Sequence, residues 1–183
     1  MNLIDLHCDT LWRLLDLGGE GDLLENDGSV SIRKLEEEEA LAQFFACFAY
    51  RDAMEGNTSA EQYDAGYRRV LAMTDYLHEQ AERWGGRLEI AAEPGDIEAI
   101  RRRGKTAAVL TVEEGGILNG SLERLEELYR RDVRLITLLW NYENCIGAPG
   151  SREPSVMERG LTPFGVRVVE RMNQLGVIVD VSH

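Results

Sequence analysis

The sequence predicts an α/β fold in which helices cover a parallel sheet. Short apolar segments alternate with longer amphipathic segments along the chain, and the apolar segments contain few polar residues. Strands that are buried on both faces have this composition, and parallel strands are joined by helices. No internal repeat or shift in composition marks a boundary, so we expect residues 1–183 to belong to a single domain.

Five segments are apolar enough to be buried strands, and the segments between them show helical spacing. Strands are predicted at 2–6, 41–50, 106–113, 134–139 and 176–182. Helices are predicted at 59–84, 96–103, 121–131 and 163–175, with a shorter helical pattern at 11–15. Ser59 is expected to cap the helix at 59–84, and Pro163 is expected to lie in the first turn of the helix at 163–175. Loops are predicted at 51–58 and 141–160.

The composition excludes several classes of partner. A net charge of −13, from 20 Lys and Arg against 33 Asp and Glu, provides no basic stripe for nucleic acid. No run of the ~18 apolar residues that cross a bilayer is present, so we expect no membrane partner. The acidic run at 36–39 is expected to be a solvated helix face. Cys8, Cys47 and Cys145 are widely spaced and form no CxxC pair, and the first residues lack a cationic leader, so we expect a cytoplasmic protein with reduced thiols.

The first predicted strand is followed by two residues that can bind a metal ion. His7 and Asp9 are two apart, and such residues point to the same face of an extended segment. An imidazole nitrogen and a carboxylate oxygen can therefore reach one cation, and both are zinc ligands. The alternative is a surface histidine beside an aspartate that caps the helix at 11–15.

Two other predicted strands also end in ligand-type side chains. Glu113 and Glu114 precede two glycines, and His183 follows the segment 176–182. A carboxylate that emerges from a buried strand needs a cation or hydrogen-bond donors, and one carboxylate can bridge two metal ions. The alternatives are that one of the two acids caps the following turn, and that His183 is a terminal residue without a role.

Together these strand ends favour a (β/α)₈ barrel over an open doubly wound sheet. In a barrel, polar groups at the carboxyl ends of the strands converge on one site, and histidine with carboxylate ligands suits Zn²⁺. An open sheet that binds nucleotides would carry a glycine-rich turn after its first strand. Here the first strand is followed by His-Cys-Asp-Thr instead.

Four stretches resemble the renal (membrane) dipeptidase family, a branch of the amidohydrolase-like barrels. They are 4–11 (IDLHCDTL), 112–116 (VEEGG), 160–165 (GLTPFG) and 179–183 (VDVSH). The stretches occur in the family's order across the whole chain, and the run from 160 to 183 is highly specific. The resemblance implies a TIM-type (β/α)₈ barrel, of which this chain covers about the first five β/α units.

The resemblance also implies a binuclear zinc centre that hydrolyses small peptides. His7 and Asp9 would ligate the first zinc ion, His183 the second, and Glu113 both, with a metal-bridging water attacking the amide bond. Glu113 is preferred to Glu114 because it keeps the register of the strand. The family carries a further zinc-binding histidine and a catalytic aspartate on later strands. We therefore expect the C-terminal part of the same protein to complete the site, this portion alone to be inactive, and a homodimer to be possible.

One position departs from the family pattern. The family places a substrate-contacting histidine after the fourth strand, where this sequence has Trp140 followed by Asn141. The indole N–H is only a donor and does not titrate near neutral pH. Trp140 and Asn141 are expected to contact the substrate. The departure leaves two alternatives: the same metal site acts on another small amide or a lactone, or a non-catalytic barrel is retained for binding.

Overall fold

The computed structural model describes residues 3–49 and 59–183. They form two compact units: Met1–Phe48 with Ala72–Thr111, and Ala49–Leu71 with Val112–His183. The described strands are β1 (Leu3–Asp5), β2 (Ala40–Phe48), β3 (Leu88–Ile90), β4 (Thr106–Glu113), β5 (Val133–Thr137) and β6 (Ile178–Asp180). The described α-helices are α1 (Thr10–Asp16), α2 (Ile32–Glu37), α3 (Ala60–Arg83), α4 (Asp96–Arg102), α5 (Leu122–Arg130), α6 (Pro154–Met157) and α7 (Pro163–Leu175). A 3₁₀ helix at Gly115–Leu118 follows β4.

The first unit is a parallel sheet with β2 at its centre. The strand order is β1-β2-β4, and β3 pairs with the first three residues of β4, Thr106 to Ala108. Every residue of β4 is buried, and so is every residue of β2 except the half-buried Leu41. Strands buried on both faces explain the nearly unbroken apolar composition of these segments. Helices α1, α2 and α4 pack against β2, and the Trp12 ring meets Phe48 edge-on at 5.4 Å between ring centroids.

The second unit contains the parallel pair of β5 and β6, with Thr137 opposite Asp180. Helix α5 packs on β5 and on α7, and α7 packs on β6. The Thr162 hydroxyl accepts a hydrogen bond from the Gly165 N–H at 3.0 Å, which caps α7, and Pro163 lies in its first turn. The sequence therefore determines locally where α7 begins. The consequence is that β6, which ends three residues before His183, closely follows a well-capped helix.

The predicted elements agree with the structure in most places. The strand at 106–113 and the helix at 163–175 match β4 and α7 residue for residue. Ser59 caps α3 as predicted, because its hydroxyl accepts from Gln62 N while the Gln62 side chain accepts from Ser59 N. The acidic side chains at 36–39 are all exposed, as predicted. Only the first two of them belong to a helix, because α2 ends at Glu37.

Three predictions of elements need correction. The structure has a sixth strand, β3, which the five-strand prediction missed because a three-residue strand shows no periodicity. The predicted loop at 141–160 contains the short helix α6. The strand predicted at 176–182 is limited to Ile178–Asp180, because Gly176 still caps α7. The loop predicted at 51–58 lies outside the described residues. None of the helices within 3–49 and 59–183 combines the length and the apolar content that a bilayer crossing needs.

Candidate metal-binding site

In the first unit, His7 and Asp9 present their side chains to one another at the end of β1. The Nε2 atom of His7 lies 3.5 Å from Oδ1 of Asp9, and both side chains are about half exposed. Two ligands that bind one zinc ion at ~2.1 Å in tetrahedral geometry are about 3.4 Å apart. The separation of these two atoms therefore fits two ligands of a shared cation, as it also fits a direct pair of the two side chains.

The backbone around these two residues is held by β2. The Cys8 N–H donates to the Phe44 carbonyl at 3.1 Å, and the Cys8 carbonyl accepts from Ala46 N at 3.0 Å. The Cys8 side chain is buried, whereas His7 and Asp9 on either side of it are exposed. Burial raises the pKa of the Cys8 thiol to about 12, so the thiol stays protonated at neutral pH. The alternation of side chains thus directs the two metal-ligand types outward and the thiol into the core.

A cavity of about 430 Å³ adjoins His7 and Asp9. Trp12, Arg13 and Val30 also line it. Sites for small molecules have volumes of roughly 300–1,000 Å³ and mix apolar walls with a few polar groups. The first unit therefore offers a space of ligand size directly beside the two candidate metal ligands.

In the second unit, the predicted ligands Glu113 and His183 lie together. Oε1 of Glu113 is 3.3 Å from Nε2 of His183, again the spacing of two ligands on one ion. Glu113 is the last residue of β4 and only 7% exposed, so its carboxylate is largely removed from water. A carboxylate in such a position is stabilised by a cationic partner. Glu113 and His183 are each positioned at the carboxyl end of a strand, as the sequence predicts.

Glu114 has a different role from Glu113, although both are acidic and buried. Its backbone adopts a left-handed conformation (φ 81°, ψ 86°), which turns its side chain away from the direction of the strand. Oε1 of Glu114 accepts hydrogen bonds from Gly116 N at 2.9 Å and from the side-chain amide of Asn144. Burial raises the pKa of Glu114, although both hydrogen bonds oppose that rise. The alternative that an acid caps the turn after β4 therefore describes Glu114, and Glu113 is the carboxylate that faces a histidine.

His183 is held on two other sides by the segment that follows β5. Its Nδ1 atom lies 3.3 Å from Oδ1 of Asn141, its ring lies 6.2 Å from the Trp140 ring, and its carbonyl accepts from Gly150 N at 3.1 Å. An amide oxygen only accepts, so this contact is a hydrogen bond in the tautomer that carries the ring proton on Nδ1, and in that tautomer Nε2 is the nitrogen that can bind a metal ion. His183 therefore contacts several neighbours, and its role as a metal ligand stays a prediction.

The sequence-predicted substrate residues Trp140 and Asn141 both adjoin His183, and their contact with substrate stays a prediction. Sequence reasoning missed Asn144 and Gly150, which hold the segment after β5. Asn144 lies thirty residues from Glu114 and belongs to no periodic pattern. The only sequence feature that pointed to this turn was the second acid, Glu114, before two glycines, a composition typical of a tight turn.

The chain matches the protein family described as membrane dipeptidase (peptidase family M19) over residues 1–183. It is 29% identical to the dipeptidase tcpJ of Claviceps purpurea over 156 residues, which are 85% of this chain and 36% of that protein. The probable dipeptidase PvdM from Pseudomonas aeruginosa has a similar structure, with a TM-score of 0.84 and 23% identity over 100% of this chain and 47% of its own. A metallo peptidase from Rhodobacter sphaeroides, liganded with a phosphinate mimic of the dipeptide L-Ala-D-Ala, has a TM-score of 0.81 and 20% identity over 100% of this chain and 59% of its own.

This chain therefore spans between about a third and three fifths of the length of these relatives. The structural similarity covers the whole chain and confirms the predicted fold class, an α/β fold with the parallel strands of part of a barrel. The family match covers the whole chain as well. The chain belongs to the membrane dipeptidase family.

Proposed function

We propose that the protein containing this chain is a dipeptidase that depends on two zinc ions. The observation that carries the proposal is the pair Glu113 and His183, whose ligand atoms are 3.3 Å apart at the end of a buried strand. The pair His7 and Asp9, at 3.5 Å, repeats this spacing in the other unit. Membership of the membrane dipeptidase family supports the substrate class.

The donor set fits zinc. Histidine nitrogens and carboxylate oxygens are ligands of a borderline divalent ion, and each of the two pairs supplies one of each. We propose that His7 and Asp9 hold one ion, that His183 holds the other, and that Glu113 contributes to both. When bound, the two ions would activate a water molecule as the nucleophile and polarise the amide carbonyl.

The chain's own residues prepare this site for a substrate. We propose that Asn141 accepts a hydrogen bond from Nδ1–H of His183, 3.3 Å away, which leaves Nε2 as the ligand atom. Trp140 is half-buried beside the His183 ring, where its indole N–H can donate to a substrate carbonyl but cannot transfer a proton. Trp140 and Asn141 are therefore proposed to orient the peptide, and a titrating group must come from elsewhere. Because the chain spans about half the length of its relatives, we assign that group and the activity to the complete protein.

Dipeptides are the proposed substrates, including those that end in a D-residue. The Rhodobacter sphaeroides metallo peptidase binds a mimic of L-Ala-D-Ala, which supports including that dipeptide among the substrates of this protein. Trp140 motivates a second candidate, because its presence instead of a histidine changes the group that meets the substrate. In that case the same metal site would act on another small amide or a lactone.

The test uses the complete protein, stripped of metal with a chelator and reloaded with zinc. We expect no hydrolysis without metal, binding of two zinc ions per chain, and recovery of hydrolysis of L-Ala-L-Ala and L-Ala-D-Ala. Faster turnover of a lactone panel would favour the second candidate. Zinc-loaded protein that hydrolyses neither class would contradict both enzymatic candidates and leave a binding role.

A matched set of variants checks that the effect belongs to the proposed ligands. His7→Ala and His183→Ala are each expected to lower the zinc content and abolish hydrolysis. His78→Ala is the control, because His78 lies on α3 and its ring contacts the Thr74 carbonyl at 2.8 Å. Equal losses in all three variants would contradict the ligand assignment.

A further inference from the structure

We propose that Glu114 and Asn144 form a buried clamp that positions the segment 138–147 and, through it, the proposed zinc ligand His183. The inference rests on the proposed function, since it concerns the same metal site. Neither residue of the clamp touches His183 in a contact described above, so both are positioning residues.

The Asn144 side chain uses its complete hydrogen-bonding capacity within the second unit. Its two amide hydrogens are donated to the Glu114 carboxylate and to the Leu138 carbonyl, the latter at 3.0 Å. Its oxygen accepts from Ile146 N at 2.7 Å and from Gly147 N at 3.3 Å. A buried amide has two donors and two acceptor sites, and all four are satisfied here. The four hydrogen bonds therefore require an amide side chain at position 144.

Glu114 anchors the clamp to the end of β4. It is 4% exposed and takes a backbone conformation with positive φ, which is strained for a residue other than glycine. The following turn must approach it closely: a Cβ atom on Gly116 would lie 2.6 Å from Oε2 of Glu114 and 2.9 Å from Cβ of Asn144. Strain that persists beside a proposed ligand, Glu113, is a mark of a functional constraint.

The clamp closes a loop whose exposed part contacts His183. Asn144 binds Leu138, six residues earlier, and Leu138 N donates to the Asp180 carbonyl at 3.0 Å, so the start of the loop is also tied to β6. Trp140 and Asn141 lie between the two ends of this loop, and both adjoin His183. A shift of the loop therefore moves Asn141 away from Nδ1 of His183, which it now contacts at 3.3 Å.

The two acids at the end of β4 thus divide two tasks. Glu113 faces His183, while Glu114 holds the loop that orients His183 from the other side. Removing such a supporting contact in a metal site typically lowers metal affinity by 10–100-fold. This expected range gives the clamp a measurable consequence apart from overall stability.

The test measures zinc affinity in the complete protein by competition with a chelator. Asn144→Ala and Glu114→Leu are each expected to weaken zinc binding at least tenfold, whereas Glu114→Gln, which keeps an acceptor oxygen, should stay within threefold of the wild type. The double variant Glu114→Leu with Asn144→Ala should bind zinc little worse than Asn144→Ala alone, because one interaction is lost in both. Additive losses, or a Glu114→Gln variant as weak as Glu114→Leu, would overturn the proposal.

The control is Asn119→Ala. Asn119 also has a positive φ, and its amide donates to Asp64 at 3.1 Å, so this change removes a comparable bond outside the loop 138–147. It should destabilise the fold without changing zinc affinity. Hydrogen exchange in 138–147 gives a readout that needs no catalysis: Asn144→Ala should accelerate it and Asn119→Ala should not. Unchanged exchange and affinity in Asn144→Ala would reject the clamp, whereas absent hydrolysis by wild type with the clamp effects intact would reject only the proposed function.

Discussion

Oδ1 of Asn141 lies 3.3 Å from Nδ1 of His183, and Nε2 of the same ring lies 3.3 Å from Oε1 of Glu113. One imidazole thus connects the segment after β5 to the end of β4. The contact gives Asn141 a role that the sequence did not indicate, since the sequence predicts only that Asn141 meets the substrate.

Replacing Asn141 separates these two roles. We expect Asn141→Ala to weaken zinc binding 10–100-fold, because Nδ1 of His183 loses its acceptor and the ring can rotate. Asn141→Asp keeps an acceptor and should restore most of the affinity. The measurement is zinc affinity by chelator competition alongside KM for a dipeptide. A higher KM with unchanged zinc affinity would show instead that Asn141 acts on the substrate alone.

Replacing Glu113 and Glu114 separately distinguishes the proposed metal ligand from the residue that holds the neighbouring loop. Glu113→Gln in the complete protein is expected to abolish hydrolysis and to weaken the binding of both metal ions, because a neutral amide is a poor ligand for two cations. Glu114→Gln should be much milder, since its oxygen can still accept from Gly116 and Asn144. Activity and metal content per chain are the readouts. The reverse order of effects would move the bridging assignment by one residue.

Cys8 lies between two proposed ligands but should not bind metal. Its side chain is buried while those of His7 and Asp9 are exposed, so it points away from them. We expect Cys8→Ser to leave the zinc content nearly unchanged, with at most a loss of stability from burying a hydroxyl. Metal analysis of the purified variant checks this expectation. A loss of zinc comparable to that of His7→Ala would mean that the orientation is wrong.

Gly165 is required by a close approach within the second unit. A Cβ atom at this position would lie 2.0 Å from the Ile146 carbonyl oxygen, so Gly165→Ala must displace either α7 or the loop before it. Such overpacking typically costs about 1–3 kcal/mol of unfolding free energy. Gly86→Ala is the matched control, because nothing lies within 4 Å of its Cβ position. Urea denaturation of the two variants should differ accordingly, and equal midpoints would contradict the close approach.

The elements that were predicted well are those whose causes are local. The strand at 106–113 is uniformly buried, and α7 carries its own start signals in Thr162 and Pro163, so composition and capping were sufficient. The strand at 88–90 was missed because three residues are too few to show the periodicity of a strand. The helix α6 was missed because the prolines and glycines of the segment 141–160 indicated only a loop.

The candidate site also combines features that the local sequence predicts with features that it does not. Residues of ligand type at strand ends, such as His7 and Glu113, were recognisable because strand direction predicts where their side chains go. The register of the strand also favoured Glu113 over Glu114. The separate role of Glu114 depends on one left-handed backbone conformation, and the role of Asn144 depends on contacts thirty residues away. Sequence periodicity carries no information about either, whereas tertiary packing decides both.

The hydrogen bond from Gly150 to the His183 carbonyl completes a support of the histidine that involves both its backbone and its ring. At the proposed site, an ion would meet donor atoms that are already 3.3 Å apart, so the chain would lose little further conformational entropy on binding it. The rate of metal uptake is then expected to follow how readily each ion sheds its water shell, so that slowly dehydrating Mg²⁺ loads last even when it is abundant.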